Sequence, residues 1–177
     1  MKKFFHLLII PSMILFLIGC NGCSEKKPMT EEDVARIQQD MISETRKQHE
    51  EEIKDIDKFI RKKDWPMQQT GTGLRYWIYE PGQGAKIKLD DAVFISYKIE
   101  LLDGTFCYET TDDQPKRIVV GYDNVETGLH EALQLLSVGD HARLILPSHL
   151  AFGFSGDSGK IPQNAAVVYD IHVVGKN

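Results

Sequence analysis

The sequence has 177 residues, of which 42% are apolar and 27% are charged. This composition is typical of a globular protein and excludes a disordered or collagen-like chain. Acidic residues number 26 against 21 lysines and arginines, so the net charge is -5 at pH 7. Because no basic stripe offsets this charge, the sequence disfavours a nucleic-acid partner. Three cysteines provide neither a disulfide framework nor a cysteine-based zinc site.

Residues 1–19 follow the plan of a signal peptide. Two lysines precede an apolar run over residues 4–18, which is shorter than the roughly 20 apolar residues of a bilayer span. The run ends in Leu17-Ile18-Gly19-Cys20, which resembles a bacterial lipobox. We therefore expect Cys20 to be lipidated, with residues 20–29 as the tether; the alternative is an uncleaved membrane anchor. Either case predicts a membrane-tethered protein of the cell envelope, and the lack of an acidic cluster after Cys20 favours a periplasm-facing one.

Residues 30–64 are predicted to form a charged helical segment. Thr30 is followed by three acidic residues, which is typical of an N-cap and first helical turn. No glycine or proline occurs over residues 31–63, and Trp65-Pro66 ends the segment. Polar residues interrupt the apolar stripe near the middle, so the pattern fits two helices or one long solvated helix. The segment would be a spacer or support helix; the alternative is a dimerisation arm that binds a second copy of the chain.

Residues 65–177 are predicted to form one compact domain, since the apolar period changes there from about 3.6 residues to two. Strands are predicted for five segments: 74–80, 91–101, 118–120, 141–147 and 166–174. A short helix is predicted where Leu129, Ala132, Leu133 and Leu136 follow helical spacing. The result is an α+β fold, in which the helix covers one face of an antiparallel sheet.

The order of these elements resembles that of the FKBP-type peptidyl-prolyl isomerases. The resemblance rests on GLHEALQLLSVGDHARLILPSHLAFG at residues 128–153, on Ile161-Pro162 and on VVYDIHVV at residues 167–174, and it covers roughly residues 70–176. The lipobox, the charged helix and WPMQQTGTGLRY at residues 65–76 also resemble gliding-motility-associated FKBP-type lipoproteins. The family implies a half-open antiparallel sheet of about five strands wrapped around the short helix, with a binding cavity between them and no cofactor.

The resemblance also implies which residues form the cavity. Tyr97 and Tyr169 would be its aromatic walls, Leu129 its floor, and Phe152 would overhang a bound peptide. These four residues are the candidate catalytic residues. The alternative is that they are core residues without a further role, since aromatic side chains on one face of a sheet usually belong to the core.

Further candidates would contact the substrate. Val125, Glu126 and Ile161 would supply edge and backbone contacts, with the amide N–H of Glu126 as a hydrogen-bond donor. The family's phenylalanine-aspartate pair after the DG turn corresponds to Cys107-Tyr108 in an ungapped comparison, or to Phe106 if one residue is deleted. The sequence leaves both registers open.

The activity implied by the family needs no nucleophile. Rotation about an X-Pro bond is slow because amide resonance must be broken, at a barrier of about 18–20 kcal/mol. An apolar, water-poor cavity with a few fixed donors lowers this barrier by favouring the twisted amide. The sequence departs from the family at the floor, where Leu129 replaces the usual tryptophan, at Lys116, where an aromatic residue is usual, and at Phe152, which replaces a tyrosine. Losing such contacts implies weaker turnover.

The sequence therefore predicts a lipid-anchored peptidyl-prolyl isomerase that assists the folding of exported envelope proteins, gliding-motility components among them. The alternative is a catalytically weak chaperone that binds proline-containing polypeptides, or an assembly subunit of an envelope machine. Cys107 is interpreted as a small buried residue, because no general base is placed for a nucleophile. No metal site is predicted, since the histidines at positions 130, 141, 149 and 172 are scattered over different elements.

Overall fold

The computed structural model describes residues 29–177, and the proposed signal peptide and Cys20 lie outside the described residues. The chain divides into two compact units, one up to Asp40 and one from Met41 to Asn177. The boundary lies within a single long helix, α1 (Glu31–Lys63). None of the helices in residues 29–177 combines the length and the apolar character needed to cross a bilayer.

Helix α1 begins and ends as the sequence predicts. The Oγ1 of Thr30 accepts a hydrogen bond from the Asp33 N–H at 3.2 Å, and Oδ2 of Asp33 accepts one from the Thr30 N–H at 3.2 Å. This reciprocal pair satisfies amide groups that a helix N-terminus otherwise leaves without partners. At the other end, Asp64 directly follows the last helical residue and adopts a positive φ of 54°, so α1 ends just before Trp65-Pro66.

Within residues 29–177, seven strands form one antiparallel sheet. The strands are β1 (Gln68–Gln69), β2 (Arg75–Glu80), β3 (Ala92–Leu101), β4 (Phe106–Glu109), β5 (Lys116–Val119), β6 (His141–Leu146) and β7 (Val167–Lys176). Their order is β1-β2-β6-β7-β3-β4, and β5 also pairs with β3. The five predicted strands are present. Strands β1 and β4 were not predicted, because short segments with exposed ends depend on the neighbouring strand for their conformation.

One face of the sheet is covered by helix α2 (Thr127–Leu135). Its buried residues Leu129, Ala132 and Leu133, together with Leu136, join a core with inward-facing sheet residues such as Leu144. Burying each leucine contributes about 1.5–3 kcal/mol relative to leaving it exposed. The predicted helical spacing is therefore confirmed, and Glu126 at the N-terminus of α2 accepts a hydrogen bond from Tyr169 of the sheet.

The other face of the sheet is covered by the second half of α1. Ile56 is 1% exposed and packs with Ile145, Ala166 and Val168. Ile145 and Val168 alternate along their strands with residues that face α2, so they point to the opposite side. Asp57 also pairs with the buried Arg75 at 3.2 Å. The compact unit therefore extends beyond residues 65–177, the range expected for the domain, because it includes helical residues from Met41 onward.

Candidate functional site

A cavity of about 440 Å³ opens between α2 and the sheet. Seven of the predicted site residues line it: Tyr97, Tyr108, Val125, Glu126, Leu129, Phe152 and Tyr169. Strands β3, β4 and β7 supply the three tyrosines, and α2 with the loop before it supplies three more residues. The sheet and the helix thus bring together residues that lie far apart in the sequence.

Two tyrosines form adjacent walls of the cavity. The ring centroids of Tyr97 and Tyr169 are 5.7 Å apart, with planes tilted by 59°, a common arrangement for interacting aromatic rings. Tyr169 is 1% exposed, and its hydroxyl donates a hydrogen bond of 2.8 Å to Oε1 of Glu126. Burial and the neighbouring Glu126 carboxylate raise the pKa of Tyr169 well above its usual value and also raise the pKa of Tyr97. Both rings are therefore neutral at physiological pH.

The floor and the polar edge of the cavity come from the start of α2. Leu129 is 2% exposed and lies one helical turn after Glu126, the N-cap residue. The Glu126 carbonyl accepts the Leu129 and His130 N–H groups at 3.0 and 3.2 Å. Its own N–H makes no hydrogen bond to another residue within 29–177. This donor is thus available to a ligand at the positive end of a helix dipole.

A β-bulge decides which residue after the DG turn reaches the cavity. Ile99 of β3 pairs with Tyr108 of β4, and the next residue, Glu100, pairs with Phe106. Cys107 lies between these two partners and is therefore the extra residue of the bulge. Tyr108 consequently faces the cavity, where its hydroxyl donates to Oδ2 of Asp157. This bond and the Asp157 charge raise the pKa of Tyr108.

Three predicted site residues do not line the cavity. Ile161 is 2% exposed within the core, held by a 2.8 Å hydrogen bond from its N–H to Asp157 Oδ1. Phe106 is 43% exposed and lies under the ammonium group of Lys160. Cys107 is fully buried, and burial raises the pKa of its thiol. The bulge and the loop anchored by Asp157 direct these three side chains away from the cavity.

Lys116, which the sequence marks as a departure from the family, lines the cavity, and the structure adds four lining residues that had not been considered: Ile99, Asn124, Ala151 and Asp157. Asp157 is the most informative of them, since its Oδ1 also accepts the Gly159 N–H at 2.8 Å and so orders the loop beside the cavity. An Asp-Ser-Gly sequence indicates a turn. Its contact with Tyr108 depends on long-range folding and left no local signal.

Comparison with known proteins gives a consistent result. The chain matches the family of FKBP-type peptidyl-prolyl cis-trans isomerases over residues 83–174. It is 35% identical over 108 residues to the isomerase FkpA of Aeromonas hydrophila, covering 61% of this chain and 40% of that protein. It is 33% identical over 103 residues to the outer membrane protein MIP of Legionella longbeachae, covering 58% and 44% respectively. The chain thus spans about two fifths of the length of these relatives.

Solved structures show the same architecture. A peptidyl-prolyl cis-trans isomerase from Pseudomonas syringae superimposes with a TM-score of 0.62 at 27% identity, covering 72% of this chain and 95% of that one. AtFKBP13 shares the fold with a TM-score of 0.61 at 19% identity, covering 64% of this chain and 100% of that one. The family match extends over half of the sequence and includes the elements that build the cavity, and so this chain belongs to the FKBP-type peptidyl-prolyl cis-trans isomerase family.

Proposed function

We propose that this protein catalyses cis-trans isomerisation of X-Pro bonds in polypeptides. The observation that carries the proposal is the cavity itself. Tyr97 and Tyr169 flank it, Leu129 closes its floor, and the N–H of Glu126 remains available as a donor. The relatives that are named as isomerases support this function; this chain covers 40% of the length of FkpA of Aeromonas hydrophila and 95% of the Pseudomonas syringae protein.

The proposed mechanism follows from the difference between planar and twisted amides. A planar X-Pro amide carries charge separation between nitrogen and oxygen, which water stabilises. A prolyl ring seated between Tyr97 and Tyr169 on Leu129 would lose that water, and the planar form would lose more stabilisation than the twisted one. The Glu126 N–H would hold a peptide carbonyl and fix the chain on one side of the rotating bond. Catalysis then requires neither a nucleophile nor a change of protonation.

The experiment is a protease-coupled isomerisation assay on the full chain in detergent, with peptides that vary the residue before proline. Wild-type protein should accelerate isomerisation well above the thermal rate, and heat-inactivated protein should not. Tyr97→Ala should lower kcat/KM by at least about tenfold, since removing a wall ring forfeits roughly 1.5–3 kcal/mol of apolar contact. Folding of the variant is checked by circular dichroism.

Tyr79→Ala is the matched control. Tyr79 is also a half-buried tyrosine of the sheet, but it contacts Asp170 and does not line the cavity. Its replacement should leave kcat/KM unchanged. Equal losses in the Tyr97 and Tyr79 variants would show that the effect is structural, and the cavity would then not be the active site.

A second candidate function is binding of proline-containing polypeptides with little turnover, as a chaperone or assembly subunit. The exposed Lys116 at the cavity and Phe152, which has no hydroxyl, favour this alternative because each removes a contact expected from the family. A folded protein that binds proline peptides in fluorescence anisotropy but gives no rate acceleration would establish it.

We further propose that the protein is anchored in the cell envelope through a lipid on Cys20, facing the periplasm, with exported proteins and gliding-motility components as clients. The lipobox-like motif and a relative named as an outer membrane protein support this location. Cys20→Ser should move the protein from the membrane to the soluble fraction, whereas Cys23→Ser should not. A Cys20→Ser protein that stays with the membrane would indicate an uncleaved anchor.

Self-association through α1 is a related proposal. Val34, Ile37 and Met41 are 38%, 43% and 66% exposed, which is unusual for apolar side chains at helical spacing and suits pairing with a second copy. Sedimentation equilibrium should detect dimers of the wild-type protein and of the Gln38→Glu variant, but only monomers of the Ile37→Glu variant. A wild-type protein that remains monomeric at the highest concentration tested would exclude this arm.

A further inference from the structure

We propose that His49, Glu52 and His149 form a binding site for Zn²⁺ between α1 and the 3-10 turn at Ser148–Leu150. Each of these residues offers one ligand atom, and the three atoms all lie within 4.8 Å of one another. Nδ1 of His49 is 3.8 Å from Oε2 of Glu52. The rings of His49 and His149 meet edge to face, with centroids 5.2 Å apart.

The donor set suits zinc. Two imidazoles and one carboxylate occupy three tetrahedral positions and leave a fourth for water. Zinc ligands at about 2.0–2.1 Å from the ion are roughly 3.3 Å apart, so ligand atoms that now lie within 4.8 Å of one another would close by at most about 1.5 Å. His49 can make this adjustment because its side chain is 47% exposed, and the i,i+3 spacing keeps it on the same helix face as Glu52.

The other two ligands are already oriented by hydrogen bonds. One ring nitrogen of His149, Nε2, lies 3.0 Å from the Thr72 carbonyl oxygen. Because a carbonyl only accepts, Nε2 carries the proton and Nδ1 keeps a free lone pair. Glu52 accepts the N–H of Ser148 at 2.6 Å through Oε1 and the Ser148 hydroxyl at 3.1 Å through Oε2. Each carboxylate oxygen retains a further lone pair for a metal.

The surroundings also favour a cation. The three residues line a cavity of about 490 Å³, which leaves space for water as the fourth ligand. Among the described residues that line this cavity, none is lysine or arginine, so no fixed positive charge competes with an ion for Glu52. Since α1 supplies two ligands and the turn after β6 supplies the third, a bound ion would join the helix to the sheet and stabilise the folded state.

The test is a Zn²⁺ titration of the full chain in detergent against a chromophoric chelator. Cys20 and Cys23 are replaced by serine in every sample so that they take up no metal, and Cys107 is buried. We expect one Zn²⁺ per chain, a melting temperature that rises with Zn²⁺, and tetrahedral Co²⁺ absorption. His49→Ala, Glu52→Gln and His149→Ala should each weaken binding by at least about 100-fold, since even loss of an outer-shell partner costs 10–100-fold.

His141→Ala is the matched control, because His141 is a half-buried histidine beside another imidazole, stacked on His172 with ring centroids 3.9 Å apart. It should bind Zn²⁺ like the parent protein. The proposal is overturned if the parent binds no zinc at micromolar concentration, if His141→Ala loses as much affinity as His49→Ala, or if all three ligand variants bind like the parent. If a replacement by alanine fails to fold, His49→Gln, at an exposed helical position, is measured in its place.

Discussion

The hydrogen bond between Tyr169 and Glu126 should couple the stability of the cavity wall to the start of α2. Tyr169 is 1% exposed, and its hydroxyl lies 2.8 Å from a half-buried carboxylate. Tyr169→Phe should cost about 0.5–1.5 kcal/mol, because water can solvate the remaining Glu126 carboxylate. Glu126→Ala should cost more, about 1–3 kcal/mol, because it leaves the buried hydroxyl without an acceptor.

A double-mutant cycle isolates this interaction. The double variant should lose about 1 kcal/mol less free energy of unfolding than the two single variants lose together, because no unpaired hydroxyl remains in it. Free energies of unfolding are measured with urea on the full chain and extrapolated to water, with m-values compared among the four proteins. The Tyr79–Asp170 pair, also 2.8 Å long but with Asp170 42% exposed, should show a smaller coupling. Additivity within about 0.3 kcal/mol at Tyr169 and Glu126 would refute the reasoning.

The same pair predicts a pH dependence at alkaline pH. Burial and the Glu126 carboxylate raise the pKa of folded Tyr169 well above the ordinary value of 10.0. Above pH 10 the unfolded chain releases this proton while the folded chain retains it, so the free energy of unfolding falls as pH rises. Because other tyrosines contribute as well, the difference between wild type and Tyr169→Phe is the relevant quantity. The wild-type curve should be steeper, and parallel curves would contradict the assignment.

Three further predictions concern packing. Ile56→Ala should lower the free energy of unfolding, measured by urea denaturation, by about 2–4 kcal/mol, because it opens a gap between α1 and the sheet. A loss below about 1 kcal/mol would mean that α1 does not cover this face in solution. Gly128→Ala should cost about 1–3 kcal/mol, since its Cβ would lie 2.9 Å from Leu146 side-chain atoms, and an unchanged urea midpoint would argue against this close packing. Cys107 is fully buried and its thiol pKa is raised. In a protein that carries Cys20→Ser and Cys23→Ser, it should therefore react with a maleimide only after denaturant is added. Rapid labelling of the native protein would show that the bulge is open.

Local patterns predicted much of the fold because they depend on neighbouring residues alone. The spacing of Leu129 to Leu136 predicts α2 and its buried face, and alternation predicts the long strands β3 and β7. The walls and the floor of the cavity were predicted from the family resemblance, which assigns these roles to Tyr97 of β3, Tyr169 of β7 and Leu129 of α2. The short strands β1 and β4 lacked such a pattern, since their conformation depends on pairing.

Side-chain periodicity and the family motifs already specified the helix and strand faces, the family and the chemical character of the cavity, because both are properties of the local sequence. Folding alone turned Tyr108 toward Asp157 at the Cys107 bulge and placed Ile56 of α1 on the second face of the sheet. It also brought His149 to His49 and Glu52. These contacts join distant segments, and they depend on strand register and loop closure, which no local pattern specifies.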